Sequence, residues 1–179
     1  LRLSASGLTG AGTGVNAANY VYGHYSILEY TLALAFSTSG VTYFPNVNAD
    51  TIPTFRTTSN IGIVGAIANT VFNGVFEANG NITFANSGTK TFRNGIDGTG
   101  NINGATSGKF IVDGNTAIFG GTGIITLPVV GGMDIGNGTG CTVYLASGKT
   151  VNNNIALLNN TYFYLLGSDI TINGIVTGA

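Results

Sequence analysis

Asp113 and Asp134 stand 21 residues apart in the chain. In a fold whose backbone returns to the same place about every twenty residues, that spacing would set two carboxylates one strand apart, near the roughly 5 Å between nucleophile and acid in a retaining glycosidase. Asp97 lies nearby in sequence. Each aspartate also sits in a turn context, as Asp97-Gly98, Asp113-Gly114-Asn115 and Asp134-Ile135-Gly136-Asn137, where Asp is favoured because its carboxylate bonds its own backbone. The turn role is the expectation. A β-helical carbohydrate-active enzyme or glycan-binding module using Asp113 and Asp134 is the alternative.

The stretch Leu145 to Val151, LASGKTV, holds the Gly-Lys-Thr triplet that closes a phosphate-binding P-loop. That motif needs an earlier Gly, here Val143, and a following helix whose N-terminus holds the phosphates, where this chain has Val151-Asn152-Asn153-Asn154. The Ser-Gly-Lys element also occurs at 107 to 109, so Lys149 is expected at the corner of a coil. Gly10-Ala11-Gly12-Thr13-Gly14 misses the dinucleotide register at Val15. His24 is the only histidine, which excludes multi-histidine metal sites, and between Tyr22 and Tyr25 it reads as a sheet residue. Gly131-Gly132-Met133-Asp134 approximates a calcium-binding nonapeptide without completing it. Thr89-Lys90-Thr91 offers one Thr-x-Thr of an ice-binding ladder, with Thr126, Thr142, Thr150 and Thr171 as further rungs. No catalytic residue, cofactor or metal is assigned.

The elements that must position these residues follow from composition and period. Only 7% of residues are charged, against an average of about 25%. With 44% hydrophobic residues, 10% aromatic residues and a net charge of −1, the chain is expected to fold rather than stay disordered. Six Lys and Arg spread over 179 residues make no basic stripe, so neither nucleic acid nor an anionic membrane surface is an expected partner. The longest apolar run, Ile27 to Phe36, carries Glu29 and is about half the length of a spanning helix, so no membrane insertion is expected. Cys141 is alone and reads as a small buried apolar residue.

From about residue 70, short alternating runs of β-branched and aromatic residues are cut by Gly and Asn, with no helical period. Gly80-Asn81-Ile82 returns as Gly100-Asn101-Ile102, and Ser87-Gly88 as Ser107-Gly108, both after twenty residues. That period is one coil of a parallel β-solenoid, or β-helix. Ile82, Phe84, Phe92, Phe110 and Val112 are expected to point inward, with Gly and Asn at corners and Asn and Thr stacked in ladders. The low charge fits, because a charged residue stacked on its own copy is repelled.

The sequence therefore predicts an all-β chain: a solenoid over 61–179 with coils of about 20 residues, and an aromatic-rich β region over 1–60. In that region Tyr30 to Ser37 reads as one strand, turned at Ser37-Thr38-Ser39-Gly40 into a hairpin or cap with Val41 to Phe44. The chain opens on Leu1 and closes within a pattern, which reads as a piece of something longer.

Thr142 to Val151, Ile170 to Gly178 and the strand-turn-strand unit Gly80 to Phe92 resemble the repeats of large secreted surface proteins of Bacteroidetes. Asn19-Tyr20-Val21-Tyr22-Gly23 and Val41-Thr42-Tyr43-Phe44-Pro45 resemble further elements of the same proteins, except that Asn46-Val47-Asn48 replaces the usual Val-Gly-Lys. The resemblance implies a long adhesin-like chain with a β-helical stalk, at the cell surface or extracellular, exported by type IX secretion. It also implies an O-glycosylation acceptor in Asp50-Thr51-Ile52, with the glycan on Thr51. The expected function is a structural and adhesive segment without catalysis, meeting glycans or surfaces, other segments of its chain or copies of itself. The candidate glycan contacts are Tyr20, Tyr22, Tyr25, Tyr162 and Tyr164, because sugars stack on aromatic faces. A self-assembling fibre subunit is a further alternative.

Overall fold

The computed structural model describes residues 2–3, 27–31, 34–37, 54–64, 69–85, 87–138 and 140–178. These residues contain no helix, and their strands form three sheets in which every pair is parallel. The first sheet runs β1 (Arg2–Leu3), β2 (Ile27–Tyr30), β4 (Thr54–Thr57), β7 (Phe76–Ala78), β10 (Gly95–Asp97), β13 (Ala117–Phe119), β16 (Cys141–Leu145) and β19 (Thr161–Tyr164). The second runs β3 (Leu34–Ser37), β5 (Ile61–Val64), β8 (Ile82–Phe84), β11 (Ile102–Asn103), β14 (Ile125–Thr126), β17 (Lys149–Asn152) and β20 (Ile170–Asn173). The third runs β6 (Thr70–Phe72), β9 (Thr89–Phe92), β12 (Lys109–Val112), β15 (Met133–Ile135), β18 (Ile155–Leu157) and β21 (Val176–Gly178). From β4 onward successive strands enter successive sheets, so the chain winds a three-sided parallel β-solenoid of about six turns, with coils of about 21 residues.

Alternation drives the winding. In most strands whose side chains are described, one set enters the interior and the other faces out, as in Thr54–Thr57, where Phe55 and Thr57 are buried. Inward residues of successive coils meet in register. Phe55 lies on Phe76 with rings parallel and 5.0 Å apart, and Phe72 lies on Phe92 at 5.4 Å. Phe84 and Phe110 close the group edge-on at 5.5 Å. The five residues expected to point inward, Ile82, Phe84, Phe92, Phe110 and Val112, are all buried.

The repeated Gly-Asn-Ile marks one corner, between the first and second sheets. The Oδ1 of Asn60 accepts from the Asn81 amide at 3.0 Å, that of Asn81 from the Asn101 amide at 2.9 Å, and that of Asn101 from the Ile124 amide at 2.9 Å. Beside this ladder Gly80, Gly100 and Gly123 stack so closely that a Cβ on Gly100 would collide with the Gly80 carbonyl, and one on Gly123 with that of Gly100. Glycine is required there by space rather than by dihedral angle.

Two expectations change. Tyr30 to Ser37 is not one strand: Ile27–Tyr30 pairs with Thr54–Thr57 in the first sheet, and Leu34–Ser37 pairs with Ile61–Val64 in the second. The alternation of apolar residues continues across a corner, so it hides the break. The solenoid sheets also extend upstream of residue 61, through β2, β3 and β4. The expected hairpin partner, 41–44, lies outside the described residues.

Candidate functional site

The outward face of the first sheet carries two neighbouring columns. One passes through Glu29, Arg56, Glu77 and Asp97, one residue from each successive coil. Arg56 is paired to Glu77 through both guanidinium and carboxylate edges, with Nη2 to Oε1 at 3.1 Å, and this pairing raises the arginine pKa further. The other column passes through Gly95, Ile118, Tyr144 and Tyr164. Charge thus occupies the early coils of this face, and aromatic surface the late ones.

Tyr144 and Tyr164 are stacked, with centroids 5.4 Å apart and planes inclined by 15°. In-register parallel pairing sets that distance, because neighbouring strands lie about 4.8 Å apart. Tyr162, two residues before Tyr164, also points outward and is 61% exposed, beside Thr142 of the preceding coil. Tyr164 is 48% exposed, and Ile118 continues the apolar column below Tyr144. Of the sequence-based glycan contacts, the structure brings Tyr162 and Tyr164 together. Tyr20, Tyr22 and Tyr25 lie outside the described residues, as do His24, the segment 10–14 and Thr51. Tyr144 was not singled out by sequence, although its spacing of 20 residues to Tyr164 equals the repeat.

The carboxylates are arranged otherwise than their spacing suggests. Asp134 is in strand β15, not in a turn, and pairs in register with Ile111 rather than Asp113. Its Oδ2 accepts from the Lys109 Nζ at 2.8 Å. Asp113 lies beyond the end of β12, where the column continues to Gly136, whose amide bonds the Val112 carbonyl. Its Oδ1 is buried without a hydrogen-bond partner among the described residues, and burial raises its carboxyl pKa against the opposing pull of Arg93. The two aspartates therefore do not stack along one column. Asp97 keeps the turn role expected of it, accepting from the Gly98 amide at 2.7 Å.

Lys149 is not a corner residue. It enters strand β17 pointing inward, 4% exposed, and its Nζ donates to the Gly120 carbonyl at 2.7 Å. The two Ser-Gly-Lys elements serve different corners: at 107–109 the lysine starts a strand of the third sheet and faces out, and at 147–149 one of the second and faces in. Lys90 is buried too, with Nζ bonded to the Ser87 carbonyl at 3.2 Å and lying 5.9 Å from the centre of the Phe84 ring. Burial lowers both ammonium groups to about 8. Cys141 is buried as expected, its thiol donating to the Gly114 carbonyl at 3.1 Å and pushed up to about 11 by burial and by Asp113.

The threonines do not share one face. Thr150 and Thr171 are adjacent on the second sheet and Thr126 lies in a neighbouring column between Asn103 and Asn152, but Thr142 belongs to the first sheet. Family models, curated proteins and solved structures were compared with the chain, and none matches. Among the described residues, no three His, Cys, Asp or Glu side chains gather as a metal would require, and no helix is long and apolar enough to cross a membrane.

Proposed function

We propose that this chain is an extracellular structural and adhesive segment of a bacterial surface or filament protein, a rod that spaces and makes distributed weak contacts without performing catalysis. The observation that supports this reading is the in-register stack of coils, whose second sheet turns mainly Asn and Thr outward, as in Thr83, Asn103, Thr126, Asn152 and Asn173. A parallel solenoid resists extension along its axis because from β6 onward each coil is bonded to the next through three sheets. The resemblance to Bacteroidetes surface repeats agrees with it, and implies type IX export and glycosylation of Thr51. Labelling intact source cells with an antibody raised against residues 54–178 tests the reading. Surface labelling is the expected outcome; labelling that appears only after the cells are permeabilised would overturn it.

A second reading is self-assembly into a fibre, for which the last described coil would be the seat of a copy. Phe163, Ile170 and Ile172 point toward the core but are only partly buried, whereas Val143, Lys149 and Val151 one coil earlier are buried. Another parallel coil seated there would pair the open strand edges and roof these side chains. Sedimentation of the purified chain across a concentration series tests it, with growth into a series of larger species expected and a concentration-independent monomer counting against it. The enzymatic alternative needs Asp113 and Asp134 to act together, and polysaccharide cleavage lost in Asp113→Asn would revive it.

A further inference from the structure

We propose that Asn137 is a site of self-modification, at which the folded chain converts this one asparagine to a mixture of aspartate and isoaspartate faster than any other. The reagents are its own backbone and water.

In an asparagine-glycine pair the glycine nitrogen can turn onto the preceding side chain, because no side chain of its own restrains it. The chain has six such pairs, beginning at Asn73, Asn79, Asn94, Asn103, Asn137 and Asn173. The solenoid holds five of them in place. Asn73 accepts from the Arg93 Nη1 at 2.9 Å through its Oδ1 and from the Asn94 Nδ2 at 2.6 Å through its carbonyl, so two asparagines are fixed together, and Gly95 after Asn94 is buried. The amide of Gly104, after Asn103, is spent on the Thr126 carbonyl at 2.7 Å. Gly80 and Gly174 are pressed on the backbone of the preceding coil, at Ser59 and Asn153, and Asn173 is bonded through Nδ2 to the Asn152 Oδ1 at 2.9 Å.

The sixth pair lies between β15 and β16, outside the sheets. Asn137 and Gly138 are both exposed, and a Cβ on Gly138 would meet nothing within 4 Å, so this backbone has room to turn. Two contacts of the Asn137 side chain favour attack on it. Its Oδ1 accepts from the Gly140 amide at 3.2 Å, which places a donor where negative charge collects when Cγ is attacked. Its Nδ2 reaches the Asp113 carbonyl at 3.5 Å, a long contact that holds the departing nitrogen weakly.

The step balances with water alone. The Gly138 nitrogen gives its proton to solvent base and bonds to Cγ of Asn137, the Cγ–Nδ2 bond breaks, and ammonia leaves with a proton taken from water. The product is a cyclic succinimide. Water opens it at Cγ to give aspartate, or at the main-chain carbonyl to give isoaspartate, which adds one carbon to the backbone. Aspartate puts a carboxylate oxygen where Nδ2 faced the Asp113 carbonyl, and isoaspartate lengthens the corner, so both loosen the approach to β16.

The test is incubation of the purified chain at pH 8 and 37 °C, in buffer and in concentrated urea, followed by peptic digestion and mass spectrometry of the peptides holding the six pairs. In buffer the Asn137 peptide is expected to gain one mass unit about tenfold faster than the other five, because each of those must first open locally. In urea the six rates are expected to converge. Methylation by an isoaspartyl methyltransferase marks the isoaspartate. Asn137→Gln is expected to abolish the change at this corner in buffer, since the longer side chain must close a larger ring. The proposal is overturned if another pair changes as fast as Asn137 in buffer, or if urea accelerates Asn137 by the same factor as the rest. Aged chain, separated by its added negative charge, is expected to unfold at lower urea than fresh chain; equal midpoints would overturn the loosening of the corner.

Discussion

The Nζ of Lys149 lies 2.7 Å from the carbonyl oxygen of Gly120, inside the solenoid and against the coil before its own. An ammonium held there loses its hydration shell for a few carbonyl contacts, which is why its pKa falls to about 8 from 10.5. Lys90, buried in the third sheet against the Ser87 carbonyl of its own coil, has the same shift.

These two lysines predict an unusual alkaline response. Below pH 8 both folded and unfolded chains hold the protons, so the cost of burying the two charges does not change with pH. Between about 8 and 10.5 the unfolded chain binds more protons than the folded one, so stability climbs with pH, by about 3 kcal/mol for each lysine if the whole window is crossed. Cys141 works in the opposite sense, because its folded pKa of about 11 exceeds its ordinary 9 and its contribution is lost as pH rises between those values. Urea midpoints should therefore rise from pH 8 to 9 and then rise about half as steeply up to about pH 10.5. Cys141→Ala should prolong the steeper rise, and Lys149→Met should diminish it. A midpoint that falls steadily from pH 8 would contradict the assignment.

Phe92 and Phe163 are both inward residues, yet they should respond differently to truncation. Phe92 is fully buried between Phe72, Phe84 and Phe110, and Phe92→Ala should cost about 3–5 kcal/mol through the cavity it leaves. Phe163 is only partly covered and meets Phe119 at 6.4 Å, so Phe163→Ala should cost less than half as much. Urea denaturation of the two variants checks the ratio, and equal costs would mean that the last coil is roofed in solution.

What could be read from sequence follows from which constraints repeat. Gly80-Asn81-Ile82 and its copy at 100–102 were legible because the same corner needs a glycine for close approach, an asparagine for the ladder and an inward isoleucine, all in fixed order. Coil length varies, from 20 residues between Phe76 and Ile96 to 26 between Phe119 and Leu145 and back to 20 between Tyr144 and Tyr164, and Ile124 replaces Asn at the corner. The period blurs accordingly. Lys149 was misplaced because lysine is rarely buried, and only the strand phase reveals that it and Lys90 point inward. Asp113 and Asp134 failed as a pair because a 21-residue separation matches the mean coil but not this one, where Phe110 to Met133 spans 23. The tyrosine strip needed both the register and the exposure to become visible.

Asp113 gives a prediction that separates structure from catalysis. Its carboxyl pKa is raised mainly by burial, which disfavours the charged form. That group costs stability as pH rises through its ordinary range, and the uncharged Asp113→Asn should have a higher thermal midpoint at pH 7 and a smaller decline between pH 3 and 6. A lower midpoint for Asp113→Asn would show that the Arg93 attraction outweighs burial.

Asn101 occupies the middle of a ladder in which its own amide bonds Asn81 and its Oδ1 receives the Ile124 amide. Asn101→Ala removes only the second of these, leaving the Ile124 N–H at a corner where Gly123 is already pressed on Gly100. The expected loss is about 1 kcal/mol, the usual net value of such a bond. Asn101→Asp keeps an acceptor at the same place and should recover most of that loss at pH 7, but not at pH 3, where a protonated carboxyl becomes a poorer acceptor. Hydrogen exchange at the Ile124 amide localises the effect: Asn101→Ala should speed it more than tenfold while leaving the Asn81 amide, bonded one coil earlier to Asn60, close to its original rate. Equal acceleration at both amides would mean that the corner ladder opens as one unit rather than rung by rung.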